Sequence, residues 1–398
     1  MHEAKIRLRA ISPLFMRGAD QRKAEFRSAS VKGVMRWWFR ALAGNYVTSD
    51  ELREKEGLIF GSAGGRRSRV IVEARALSRP VPIYNGAQIN ENSWLEWQEN
   101  KKGDSYNVRT GRVSPREKKA KEQDKTGLQY LFFSIKLLAR RGKLVTFYEP
   151  NSKFEVTIKS HDSKAYEAAM ASLWSAVALG GFGFRARRGA GSLWFDGKNG
   201  AMEALGLPTV LKSPNGLEKG IQRAIELVGN AIGKEELQAE PIVDYPTLTE
   251  NSSAVAVLNL EAKEDPRYAL MEFQEKYKSF RRRRSENDKK DKRENSQNNK
   301  ETEKDNIARK ITFGLPIVKW NLKKEYIGYK ARKARRASPL LVSVKPFGGS
   351  YRVVLVKMKT KRFHENSELN SLADWRVLKF LDEMFKESVV FGKLDNFE

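Results

Sequence analysis

Apolar and basic residues alternate through 5–11 (Lys-Ile-Arg-Leu-Arg-Ala-Ile), a period of two that predicts a strand with one buried face. Residues 12–20 end it in a loop, and Ser30 stands where a helix N-cap is expected. Val31, Val34, Met35, Trp38, Ala41 and Leu42 follow at helical spacing and form the buried stripe. Lys32, Arg36 and Arg40 are four apart, so they share the opposite face. After a connection ending at Phe60-Gly-Ser, the pattern predicts strands at 69–76, 127–138 and 153–160, a helix at 165–179 and a closing strand at 192–195. Residues 85–126 are polar, basic and without periodicity, and read as a long insertion loop. With one strand more than the plan between the helices, the order is roughly β-α-β-β-α-β, the split arrangement called ferredoxin-like that RNA-recognition modules also use.

The second half repeats the plan. A strand is expected at 252–260 and a helix at 268–284. Strands at 340–344 and 351–358 form a hairpin around Phe347-Gly-Gly-Ser, and an amphipathic helix follows at 369–385. A closing strand is not visible, and no strict period links the halves. The fold class expected is therefore α+β, with two tandem ferredoxin-like β-α-β-β-α-β domains carrying long insertions. The first covers 1–200, with the insertion at 85–126 and a glycine-rich loop at 180–192. A linker with a short helix at 217–232 covers 201–245, and the second domain covers 246–398. Within it, 281–306 runs from four consecutive arginines into Lys, Asp, Glu, Asn and Gln, which cannot bury a core and is expected to be disordered.

Charge changes the picture from fold to partner. Over 398 residues the net charge is +26, from 75 Lys+Arg against 49 Asp+Glu. Such a balance points to nucleic acid or an anionic surface. No lipidation motif or isolated basic amphipathic helix supports a membrane surface. Cysteine is absent, which excludes disulfides, thiolate metal sites and a cysteine nucleophile. It fits a cytoplasmic location and, with the heavy Lys/Arg/Glu usage, hints at a thermophile. The N-terminus lacks the apolar run of a signal peptide. The longest uncharged stretch, 168–184, is short for a membrane span and reads as a buried helix entering the glycine loop.

That loop is the strongest chemical signal. In Gly181-Phe-Gly-Phe-Arg-Ala-Arg-Arg-Gly-Ala-Gly-Ser192, two Gly-x-Gly pairs (Gly181/Gly183, Gly189/Gly191) bracket Arg185, Arg187 and Arg188. Glycines let a polyanion approach backbone amides, and arginines fork onto phosphate oxygens. The helix starting at Ser30 adds free N–H groups and, with Lys32 in its first turn, a full charge. A third basic cluster spans 330–336 and leads into a strand. Metal-ligand spacings, a Walker loop, a dinucleotide fingerprint and a nucleophile elbow are all missing, so no metal, cofactor or catalytic residue is assigned. Of the three histidines (His2, His161 and His364), His161 beside Asp162 is the one offered as an acid or base in a rival, metal-independent endoribonuclease. A general single-stranded RNA-binding protein acting alone is a third class.

The same residues carry a resemblance. The Gly181-x-Gly183-x5-Gly189-x-Gly191 loop resembles that of the repeat-associated mysterious protein (RAMP) superfamily of CRISPR systems. Ser12-Pro-Leu-Phe-Met, Ser30-Val-Lys-Gly-Val-Met-Arg-Trp-Trp-Phe-Arg-Ala, Leu58-Ile-Phe-Gly-Ser, Phe313-Gly-Leu-Pro and Arg336-Ala-Ser-Pro-Leu resemble the first-subunit family of Cmr-type (type III-B) effectors. The resemblance implies a non-catalytic, RNA-binding subunit of a guide-RNA-directed surveillance complex. Its partners would be guide and target RNA and the other Cmr-type subunits, and it would sit at the end of the filament that holds the 3′ part of the guide. It also implies that Ser30, Lys32, Arg36, Arg40 and the 181–191 loop line the RNA groove. Under the rival reading, the endoribonuclease would process guide precursors.

Overall fold

In a computed structural model of the chain, the described residues are 1–63, 65–83, 94, 128, 130–132, 134–135, 138, 141–237, 245–260, 262–282, 338–358, 360 and 388–392. The alternation at the start becomes β1 (His2–Ala10), with Ala4, Ile6, Leu8 and Ala10 buried and Lys5 and Arg7 exposed. β2 (Val70–Ala76), a short β3–β4 pair (Val81–Pro82 and Thr146–Phe147), β5 (Lys153–Ser160) and β6 (Leu193–Phe195) follow. β1 pairs antiparallel with β5 and β6, and β5 with β2, giving the order β2-β5-β1-β6.

Two helices expected from the pattern pack against this sheet: α1 (Ser28–Ala43) and α3 (Ser163–Leu179). Val31, Met35, Trp38, Phe39, Ala41 and Leu42 supply the buried stripe of α1. α3 is buried almost all round because a further helix packs on its outer side, which explains its apolar run. α2 (Ser49–Phe60) lies between α1 and β2 and was not expected. Half of its residues are charged, but Thr48 opens it with a capping box in which Glu51 accepts the Thr48 N–H at 3.2 Å.

The second half begins with α4 (Gly200–Ala204) and α5 (Pro214–Ile232) in the segment expected as a linker. α5 is the helix that covers α3, through Leu217, Ile221, Ala224 and Val228 on its buried side. β7 (Ser253–Val257), α6 (Pro266–Arg282), β8 (Leu340–Phe347) and β9 (Ser350–Met358) then appear where expected. Gly348 (φ +53°) and Gly349 (φ +90°) make the two-residue turn of the β8–β9 hairpin, a type I′ geometry that β-carbons resist. The closing strand invisible in the sequence is β10 (Val389–Gly392), paired with β7. The second sheet runs β10-β7-β9-β8, so both four-stranded sheets place their strands in the order fourth, first, third, second.

Three expectations change. Ser30 is not the N-cap: Arg27 holds that position, and Ser30 lies inside the first turn. The cap lacks a side-chain hydrogen bond because an arginine has no acceptor to offer, and Ser28 Oγ, the next residue, accepts from Ala74 N of β2 at 2.9 Å, tying the helix to the sheet. Lys32 consequently sits beyond the first turn. At 127–138 no described residue is in a strand; Ser134, Ile135 and Leu138 are helical. The tracts at 85–126 (apart from Trp94) and 281–306 (apart from the end of α6), the 330–336 cluster and the 369–385 helix lie outside the described residues. Among the described residues, no helix is long and apolar enough to cross a membrane.

Candidate nucleic-acid interface

The glycine loop is folded by its own chain. Phe182 N donates to Gly191 O at 2.9 Å, Phe184 N to Phe15 O at 2.8 Å and Gly191 N to Pro13 O at 2.8 Å. The loop is thereby stitched to the connection between β1 and α1. Gly183, Gly189 and Gly191 all have positive φ. A β-carbon on Gly191 would stand 1.9 Å from Phe182 O, and one on Gly183 2.7 Å from Phe15 O. Glycine is required here for internal packing.

The three arginines point into the protein. Arg187 donates to Ser338 O at 2.5 Å and lies 5.0 Å from the Trp37 ring centre. Arg188 donates to the Tyr277 hydroxyl of α6 and lies over that ring. Arg185, itself left-handed at φ +63°, donates to Ser134 Oγ at 2.5 Å. Its guanidinium and that of Arg17 both lie against Phe184, at 5.7 and 5.4 Å. Burial pushes Arg185 and Arg187 down to about 10, still charged at neutral pH.

The loop is therefore the seam between the two halves, since Ser338 and Tyr277 belong to the second. Leu270 of α6 closes over Gly189. Val344 N of β8 donates to Ser192 Oγ at 3.1 Å. Lys345, fully buried on β8, donates from Nζ to Gly180 O at 2.9 Å and Leu193 O at 3.2 Å. Burial holds that amine well below the ordinary lysine range. Sequence reading missed Lys345 because a lysine in a β-strand looks like a solvent-facing one.

On α1 the structure does group Lys32, Arg36 and Arg40. Arg36 Nε donates to Glu56 Oε1 at 2.5 Å, and Arg40 reaches both Glu56 oxygens at 2.9 Å. One buried carboxylate from α2 thus serves two guanidiniums. Lys32 Nζ donates to Ser68 Oγ at 2.9 Å, and its pKa is lowered by burial and then by Arg36. Trp37, next to Arg36, carries the Arg187 stack, so the two expected clusters adjoin along α1. His161 is exposed, and the adjacent Asp162 is occupied as the N-cap of α3 and in an ion pair with Arg69 at 2.7 Å. His2 stacks on Tyr166, and His364 lies outside the described residues. Among the described residues, no group of three or more His, Asp or Glu could hold a metal.

The signature of the RAMP superfamily matches residues 7–194, which hold most of the first sheet, α1–α3 and the glycine loop. The CRISPR system Cmr subunit Cmr1-1 of Pyrococcus furiosus is 30% identical over 362 residues, covering 90% of this chain and 87% of that protein. The chain belongs to the RAMP superfamily and, within it, to the Cmr1 family. The crystal structure of apo Cmr1 from Pyrococcus furiosus superposes with a TM-score of 0.63 at 26% identity, covering 98% of this chain and 99% of the other. A chain from the cryo-EM structure of the type III-B Cmr-β complex, bound to cognate target RNA and AMPPnP in the presence of ssDNA, shares the fold. Its TM-score is 0.52 at 15% identity, covering 96% of this chain and 98% of that one.

Proposed function

We propose that this chain is a non-catalytic RNA-binding subunit of a cytoplasmic type III-B CRISPR surveillance complex. It holds the 3′ part of the guide RNA, the target RNA, or both, at one end of the filament, beside other Cmr-type subunits. Each half is a ferredoxin-like module, in keeping with the shared fourth-first-third-second strand order. Family membership and the +26 charge support the reading.

The observation that carries it is the α1 face, where Lys32, Arg36 and Arg40 are grouped and only one carboxylate, Glu56, bound by the two arginines, answers them. Passing phosphates complete the missing counter-charge. The 181–191 loop supports this face from behind, because Arg187 fixes Trp37 and with it the outer surface of α1. Contacts to backbone phosphate carry little sequence information, so base pairing within the guide supplies specificity.

The test titrates purified protein against end-labelled RNA of about 40 nucleotides at two salt concentrations, with duplex DNA as control. Tight, salt-sensitive retention of intact single-stranded RNA is expected, with a slope near −0.7 per phosphate contact. Discrete cleavage products that vanish in His161→Ala would overturn the non-catalytic part and install the endoribonuclease reading.

A further inference from the structure

A second Gly/Arg loop, at 61–69, joins α2 to β2, and its charge faces outward. Ser62, Arg66, Arg67, Ser68 and Arg69 are all exposed. Its described residues are nevertheless tied down. Gly61 has φ +84° and Gly65 φ +102°, and Ser62 N donates to Arg66 O at 3.1 Å. Ser68 Oγ donates to Val70 O at 2.6 Å and accepts from Lys32 Nζ at 2.9 Å, which binds the loop to α1. Arg67 has no partner among the described residues, and Arg66 has only an exposed ion pair with Glu54 at 3.5 Å. Such pairs exchange readily with other anions.

Next to Lys32 on α1 is an independent anomaly, Gly33. A glycine within a helix costs about 1 kcal/mol relative to alanine. Gly33 sits in ordinary helical backbone, is exposed, and a β-carbon there would meet nothing within 4 Å. Among the described residues, nothing requires a glycine at this position. The open backbone lies between Lys32 and Arg36.

We propose that Gly33 is the floor, and Arg66 and Arg67 with Lys32 the wall, of a strip that takes the sugar-phosphate backbone of single-stranded RNA. The inference rests on the RNA-binding reading above and names where on the molecule the chain of phosphates lies. It separates the two Gly/Arg loops by role. Residues 181–191 join the halves, while 61–69 meets the ligand. Cations without a buried carboxylate partner favour a polyanion, and a bare helix backbone admits one closely.

The experiment measures fluorescence anisotropy of a labelled single-stranded RNA with the full-length protein. Three variants are compared with the parent: Gly33→Gln, the pair Arg66→Ala/Arg67→Ala, and a charge-matched control pair, Lys219→Ala/Lys263→Ala. Gly33→Gln is expected to leave the fold at least as stable on heating while cutting affinity about tenfold, the effect of roughly 1.4 kcal/mol. The arginine pair is expected to lower affinity and to flatten the salt slope by about 1.4, from two lost contacts. Equal binding by these variants and the control pair would overturn the strip while leaving the RNA-binding reading in place. Failure of the parent protein to bind RNA would overturn both. Unchanged RNA affinity with lost assembly onto neighbouring subunits would also overturn it, reassigning the strip to a protein contact.

Discussion

Arg187 and Lys345 show how a cation's role follows from what surrounds it. Arg187 is basic, set between the two Gly-x-Gly pairs and exposed-looking in sequence, yet it reaches a carbonyl 151 residues away and stacks on Trp37. Arg187→Ala should cost about 2 kcal/mol of stability, from one lost charge-assisted hydrogen bond and one cation–π contact. Chemical denaturation measures this, and a salt slope for RNA binding unaltered by the change would agree. A slope flattened without loss of stability would return Arg187 to the RNA surface. Lys345 adds a pH signature. Its folded pKa lies well below the ordinary 10.5, so the unfolded chain binds more protons and stability rises with pH between those two values. The gain is up to about 1.4 kcal/mol per pH unit within the window. Unfolding at pH 7 and at pH 9 should therefore show the parent gaining on Lys345→Met. Parallel pH dependences would mean that the amine is charged in the fold.

At the scale of elements, α1 and α2 are joined by Glu56, whose carboxylate is shared by Arg36 and Arg40. Removing it opposes stability to binding. Glu56→Gln should destabilise by about 1–2 kcal/mol, because two partly exposed guanidiniums lose a buried partner and solvent recovers part of the loss. The same change frees both cations, so RNA affinity should rise several-fold and the salt slope should steepen. A variant that loses stability and affinity together would mean that Glu56 orients the arginines for RNA. Elements of this kind were unevenly legible. β1 and the β8–β9 hairpin could be read because a half-buried strand must alternate and a two-residue turn needs its glycines. α2 could not, because its buried side includes Glu56 and Gly57, although Thr48-Ser-Asp-Glu51 carried a capping-box signal. Tyr130 and Phe132 gave 127–138 a strand-like composition that the helical Ser134, Ile135 and Leu138 overrode. The cations of α1 were placed correctly on one face, since spacing alone fixes that. The inward turn of Arg185, Arg187 and Arg188 depends on partners distant in sequence, which no local pattern encodes.

For the whole molecule, the question is whether the two sheets are independent beads or one body. The contacts across the seam answer for one body. Lys345 spends its Nζ donors on Gly180 and Leu193, Ser192 receives Val344 N, and Gln274 Oε1 accepts from Tyr130 N at 3.0 Å and Leu131 N at 3.2 Å. Around these bonds Leu270 covers Gly189, and α5 fills the outer side of α3 while also meeting β10. Separation would expose apolar faces of both halves and break the hydrogen bonds that Lys345 makes to Gly180 and Leu193. Expressed as 1–237 and 245–398, the pieces should therefore fail to fold separately. Co-expressed, they should purify as a one-to-one complex. That complex should survive about 1 M salt, because the seam rests on burial and short hydrogen bonds, which salt screens far less than exposed ion pairs. On the proposed reading, RNA held through phosphates at the α1 face should leave the same complex as salt rises. Two fragments that each unfold cooperatively on their own, or a seam that dissolves along with the RNA, would show that the halves are joined mainly by charge and that the glycine loop is not the joint.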